Sequence, residues 1–213
     1  MNRLVLILSA LAITSVAQAQ GASSPISEPS KLVPVAGVDA TAHRHLGFAL
    51  RLDGGIGYSS STGMATSLGG ATGAFGVVIG GAVMENLILG ADFWGTGMFG
   101  SSPMMQSNGT GYGLWGAGVN VTYYLMPANV YFSASPSVTL VSSMSHSGSN
   151  YAMNPSNAGF GLKASVGKEW WVGDHWGIGL AAQFFGSWNS AQNSLSATWS
   201  TLGGGLAFSA TYN

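Results

Sequence analysis

Charge is what this chain has least of: six Lys and Arg and seven Asp and Glu in 213 residues, about 6%, where a soluble domain carries roughly a quarter. A surface so poor in charge is not kept in solution by it, and a net charge of −1 provides no basic patch for nucleic acid. Cysteine is absent, which excludes a disulfide framework, a thiolate metal site and a lipidated N-terminal cysteine together. After residue 19 there is also no apolar run of the ~18–20 residues that a spanning helix needs; the best, Gly73 to Met84, is interrupted by four glycines. Yet 46% of the residues are hydrophobic. Backbone groups in hydrocarbon must all be bonded within the protein, so a chain of this kind that cannot cross a membrane as helices crosses it as a closed β-barrel.

What is present agrees. With 33 glycines and many Ser, Thr, Tyr, Trp and Val, the composition suits strands and turns. The clearest pattern runs from 158 to 188. Phe160, Leu162, Ala164, Val166 and Trp170 alternate before a turn at Gly173, Asp174 and His175, and Trp176, Ile178, Leu180, Ala182 and Phe184 alternate after it. Successive strand side chains point to opposite faces, so one face is continuous hydrocarbon and the other small or polar. Tryptophans on both sides of the turn suit a strand pair leaving a bilayer, where indole sits at headgroup level.

The period of two sets in at Leu46 and repeats eight times: Leu46 to Tyr58, Ala71 to Val83, Leu87 to Gly97, Tyr112 to Met126, Val130 to Val141, Ala158 to Trp171, Trp176 to Trp188 and Leu195 to Tyr212. Each run reaches the ~9–11 residues of a tilted membrane strand. The expected fold is all-β, an eight-stranded antiparallel up-and-down transmembrane β-barrel over 46–213. The connections alternate. Met84-Glu85-Asn86, Pro127-Ala128-Asn129 and Val172 to His175 are short, while 59–70, 98–111, 142–157 and 189–194 are longer. In an outer-membrane barrel the short turns are periplasmic, which places both barrel termini there.

Residues 1–19 have the form of a secretory signal peptide: Arg3, an apolar core from Leu4 to Ile13, and Ala17-Gln18-Ala19 as the small-x-small cleavage site. Residues 20–45 have three of the seven prolines and no apolar period, so they are expected to form a disordered periplasmic leader. His43-x-His45 is half of a metal-ligand set without the other half, and no metal or cofactor is assigned.

The strand period sorts the side chains. Leu46, Phe48, Leu50, Leu52, Ile56 and Tyr58 face lipid in the first strand, Phe75, Val77, Ile79 and Val83 in the second, and Leu206, Phe208, Ala210 and Tyr212 in the last. Lys168 is the one charge on these faces, close enough to a turn to snorkel. The interfacial aromatics are Tyr58, Trp115, Tyr123, Trp170, Trp171, Trp176, Trp188 and Tyr212. Inside, the period leaves Arg51, Asp53, Asp92, Lys163 and Glu169, expected to pair as a lumen charge network because an unpaired buried charge is costly. An eight-strand interior is about filled by side chains, which reads as a plug; the many glycines and alanines leave a narrow polar path as the alternative.

The signal at Ala17-Gln18-Ala19, the GKEWW-VGDHWGIGLA hairpin and the C-terminal Leu206-x-Phe208-x-Ala210-x-Tyr212 together resemble the small eight-stranded outer-membrane β-barrel families of Gram-negative bacteria, such as the barrel part of outer membrane protein A. The resemblance implies residence among outer-membrane lipids and insertion by the barrel-assembly machinery. That machinery reads a C-terminal strand ending in an aromatic; here Tyr212 is penultimate, before Asn213. The longer loops carry no Asp, Glu, Lys or Arg. They offer Ser, Asn, Tyr151 and the methionines Met64, Met98, Met104, Met105, Met144 and Met153, a soft contact surface. His146-Ser147 has no loop carboxylate to orient an imidazole, so no catalytic residue is assigned. Gly95-x-Gly97-x-x-Gly100 and Gly111-x-Gly113-x-x-Gly116 open no helix and are accidents of glycine-rich strand ends. The expected function is a non-enzymatic barrel supporting envelope integrity or surface contact. The alternatives are a narrow, porin-like pore for small solutes and a lipid A-modifying enzyme.

Overall fold

The computed structural model describes residues 44–63, 66–99, 108–147, 150–191 and 198–213, with the backbone alone at 66, 108–111, 143–147 and 150–155. The signal segment, the leader as far as His43, and Met64, Met104 and Met105 lie outside them, as do the side chains of Met144, His146, Tyr151 and Met153.

Among the described residues nine strands form: β1 (Phe48–Gly63), β2 (Thr66–Met84), β3 (Leu87–Met98), β4 (Asn108–Leu125), β5 (Val130–Ser147), β6 (Asn150–Pro155), β7 (Gly159–Trp171), β8 (Trp176–Ser190) and β9 (Thr198–Tyr212). Every pairing is antiparallel, and β1 pairs with both β2 and β9, which closes the sheet into a barrel. Strands β6 and β7 follow one another along the same edge of β5, β6 against 142–147 and β7 against 130–139. They make one wall element broken at 156–158, so the barrel has eight. The break is sewn into the wall: Ser156 N–H donates to the Val141 carbonyl at 2.7 Å, and Asn157 N–H to that of Ser190 at 2.9 Å.

Three short turns lie at one end of the barrel, the turn end; the opposite end carries the long hairpins. Asn86 and Asn129 occupy left-handed backbone at φ 62° and 52°, which asparagine tolerates better than most residues. Much of what the sequence marks as loop is strand. The β1–β2 ladder runs without slip from Phe48↔Gly81 to Gly63↔Thr66, and residues 142–147 pair with 150–155. The apolar period stops near Tyr58 while the ladder continues through Ser, Thr and Gly, because the alternation records a hydrocarbon face rather than strand conformation itself. The last strand is described from Thr198; its expected start at Leu195 lies within 192–197, outside the described residues.

The exterior follows the expected phase. Ile56, Tyr58, Val119, Val138, Leu180, Phe184, Leu206 and Phe208 are all more than half exposed, and Lys168 lies on the same side, its ammonium donating to the Ala128 carbonyl at 2.6 Å. Hydrocarbon outside and polar groups inside is the arrangement of a barrel solvated by lipid.

Candidate functional site: the filled lumen

Three layers of side chains cross the interior. At the turn end stands His45, fully buried although it closes the segment expected to be disordered. Its ring stacks on Tyr124 with centroids 3.5 Å apart, and its Nε2 lies 2.8 Å from Asn129 Oδ1. Its backbone N–H donates to Asn86 Oδ1 at 3.3 Å and its carbonyl accepts from Asn86 N–H at 3.3 Å. Arg44 pairs with Glu85 at 3.6 Å. The leader expectation is therefore corrected at its C-terminal edge: residues 44 and 45 are part of the barrel, tied to the β2–β3 and β4–β5 turns. Trp171, 5.1 Å from the His45 ring, shares the inward phase of Glu169. It therefore lies against this layer and apart from Trp170 and Trp176 on the outer girdle. Tyr131 continues the layer, 5.6 Å from Tyr124.

The Arg44–His45 peptide bond tests this placement. Trypsin should cut it slowly in the folded barrel, because cleavage requires the segment to leave the mouth first. His45→Ala removes the stack and the hydrogen bond and should speed that cut several-fold, read by mass spectrometry of the N-terminal fragment. An equal rate in both proteins would mean that the segment is not docked.

The middle layer holds the charges. Lys163 on β7 reaches across to Asp92 on β3, with Nζ 2.8 Å from Oδ2 and 3.1 Å from Oδ1, and lies 4.0 Å from Asp53. Arg51 Nε is 3.6 Å from Asp53; its terminal nitrogens donate to Thr122 at 3.2 Å and Ser133 at 3.0 Å, and its guanidinium lies 4.9 Å from the Tyr131 ring centre. Ser135 donates to Asp92 at 2.6 Å, and Asn120 donates to Ser133 and Ser135 at 2.7 and 2.8 Å. Four of the five expected charges thus meet. Glu169 does not join them: it sits nearer the turn end and accepts from Thr211 at 2.7 Å.

At the hairpin end the third layer is apolar: Trp94, Leu114, Val141, Met98, Tyr112 and Phe185, all buried. Met98, expected on the loop surface, belongs to this packing. Trp94 Nε1–H donates to Ser137 at 3.0 Å. Tyr112 and Ser61 both hydrogen-bond to Thr201, and Ser59 bonds to Thr72 at 2.6 Å.

Inward-facing glycines make room for this filling. A Cβ on Gly167 would lie 2.6 Å from the Tyr131 ring, and one on Gly179 2.7 Å from Glu169 Cγ. Trp94 covers Gly116 and Phe185 covers Gly203 more closely still. Large side chains therefore lie flat on bare backbone of the neighbouring strand. At these positions rings occupy the space that the alternative reading, a narrow polar path, assigns to the glycines. Where small residues do face one another, at Gly57, Ala74 and Gly205, a cavity measures about 10 Å³, room for about one water.

Sequence reasoning finds the charges by phase but passes over the inward aromatics Trp94, Tyr124, Tyr131 and Phe185. Their signal was an aromatic out of phase with its strand's lipid face. His45 carries none, lying just outside the period.

Among the interfacial aromatics, Tyr123, Trp170, Trp176 and Tyr212 cluster at the turn end, with Trp176 edge-on to Tyr212 at 5.3 Å. Tyr58 and Trp188 lie towards the hairpin end, Trp188 stacked with Phe160 at 6.4 Å. Trp115 packs with Phe75 and Phe93 at 5.6 and 6.0 Å.

No protein-family model matches the sequence, and no curated protein matches it. Among solved structures it is similar to Neisserial surface protein A (14% identity, 75% of this chain and 95% of that one, TM-score 0.47). It is also similar to Ail, the attachment invasion locus protein of Yersinia pestis (8%, 77% and 99%, 0.49), and to the N-terminal β-barrel domain of Pseudomonas aeruginosa OprF (10%, 76% and 96%, 0.37). At such identities and scores the architecture rests on this chain's own pairing. The closed ladder of eight wall elements and the hydrocarbon exterior make the chain an antiparallel, up-and-down transmembrane β-barrel.

Proposed function

We propose that the protein is a sealed outer-membrane barrel, a non-enzymatic component of the cell envelope that supports its integrity or makes surface contacts through the long hairpins. The observation that carries this reading is the layered lumen. A solute entering at the turn end meets His45, Tyr124 and Tyr131, then the paired charges, then the apolar layer around Trp94 and Phe185. The turn end lies in the periplasm, the hairpins face outward, and insertion is by the barrel-assembly machinery. The hairpin ladders, paired well past the hydrocarbon face, give the exposed segments a rigid base on which uncharged Ser, Thr and Asn are presented.

Conductance tests it. The chain from residue 20 on, refolded in detergent, shown to be folded by its heat-dependent gel shift and inserted in a planar lipid bilayer, should pass no discrete current steps. Steps that change size when Arg51 or Lys163 is replaced would establish the pore reading instead. Altered lipid A acyl chains in cells expressing the protein would establish the enzyme reading.

A further inference from the structure

The hydrocarbon face is not evenly filled. Outward-facing glycines on β2 and β3 are covered by aromatics of the same face: Phe99 lies over Gly73, and Phe75 with Trp115 over Gly95. On β8 the outward Gly186 has no such cover: a Cβ there would make only ordinary contacts at 3.6–3.7 Å, whereas one on Gly204 of β9 would meet the Gln183 carbonyl at 2.9 Å and the edge of the Phe184 ring at 3.0 Å. Register places them in adjacent cross-strand rows, Leu162–Gly186–Leu202–Ser60 and Ala164–Phe184–Gly204–Tyr58. Where the small members meet, the wall is indented to bare backbone between the standing side chains of Tyr58, Phe184, Trp188 and Leu202. The resulting groove measures about 640 Å³, and a second of about 510 Å³ continues past Tyr58 towards Phe99. Both fall within the range of roughly 300–1,000 Å³ typical of small-molecule sites.

We propose that this groove binds a single acyl chain of a membrane lipid and holds it longer than the rest of the barrel's lipid shell does. The groove is continuous with the face by which the barrel meets the bilayer, so its occupant comes from the hydrocarbon. Among the described residues no ionisable side chain other than Tyr58 lines it. The described cations are Arg44 and Lys168 at the turn end and Arg51 and Lys163 inside the lumen. A lipid phosphate therefore gains nothing here, and the chain, not the headgroup, is what is recognised. Aromatic walls over a glycine floor favour a flexible, unbranched chain, which follows the floor at little cost and contacts the rings along its length. The inference rests on the membrane-spanning barrel and is independent of whether the lumen conducts.

The test uses the whole chain after the signal, refolded in phosphatidylcholine vesicles that contain some phosphatidylcholine with a photoreactive diazirine on the acyl chain a few carbons from the ester, at the depth of Tyr58 and Trp188. After illumination, labelling mapped by mass spectrometry should concentrate on Tyr58, Phe184 and Leu202, several-fold above Val119 and Val138 elsewhere on the lipid face. Gly186→Leu fills the floor where a side chain has room and should reduce labelling at the groove to that of the other wall. Gly54→Leu, at a position with nothing within 4 Å, places the same side chain on the lipid face away from the groove and should leave the pattern intact. The heat-dependent gel shift verifies that each variant is folded. Uniform labelling around the barrel, or groove labelling that survives Gly186→Leu, would overturn the proposal. So would barrel-to-barrel crosslinks from a cysteine placed at Leu202, which would make the occupant a second copy of the chain.

Discussion

Replacing Lys163 by Met should destabilise the barrel by about 3–5 kcal/mol, the usual cost of removing one partner from a buried ion pair. The ammonium lies 2.8 Å from Asp92 and 4.0 Å from Asp53 and is as buried as they are. Without it, among the described residues Asp92 retains the Ser135 hydroxyl at 2.6 Å and Asp53 retains Arg51 at 3.6 Å. Asp92 would then be a buried carboxylate with no cation against it among the described residues, with water held away by layers above and below. The measurement is the urea midpoint of unfolding from lipid vesicles, followed by tryptophan fluorescence. The double variant Lys163→Met/Asp92→Leu should recover most of the loss, because exchanging a whole buried pair for hydrocarbon of similar volume is often neutral. An unchanged midpoint in Lys163→Met would show that the charge layer fills the lumen without holding it together.

That layer was legible because β-structure has a period of two: a charge out of phase with a hydrocarbon face points inward wherever it stands. Phase says nothing about height along the barrel. It groups Glu169 with Asp53 and Asp92, although the Glu169 carboxylate turns to the Thr211 hydroxyl, nearer the turn end. It also assigns the lipid face of every strand correctly while ending β1 five residues early and reading the β5–β6 hairpin as loop. Beyond Tyr58 the outward side chains of β1 are no longer apolar and the buried inward ones, Ser59 and Ser61, are polar, so the alternation of hydrocarbon that reveals a strand is gone. His45 was hidden for the opposite reason. One buried residue has no period, and its place is set by Asn86 and Asn129 on two turns distant in sequence.

The contact of Trp94 with Gly116 supplies the second large effect, and it can be broken from either side. Trp94 is 1% exposed and lies flat on the Gly116 backbone, tied to Ser137 at 3.0 Å. Trp94→Ala removes the largest side chain of the hairpin-end layer and should cost about 3–5 kcal/mol. Gly116→Val leaves the indole in place but thrusts a side chain into it; overpacking of this kind costs about 1–3 kcal/mol, and more if the ring loses Ser137. The two losses should not add. In Trp94→Ala/Gly116→Val the valine grows into the space the indole has left, so the double variant should be more stable than Trp94→Ala alone, a coupling that only residues in direct contact show. Urea midpoints of the four proteins in the same vesicles measure it. Strict additivity would mean that the indole does not rest on Gly116. It would also remove the physical reason for pairing inward aromatics with inward glycines, by which large rings fit inside an eight-stranded wall.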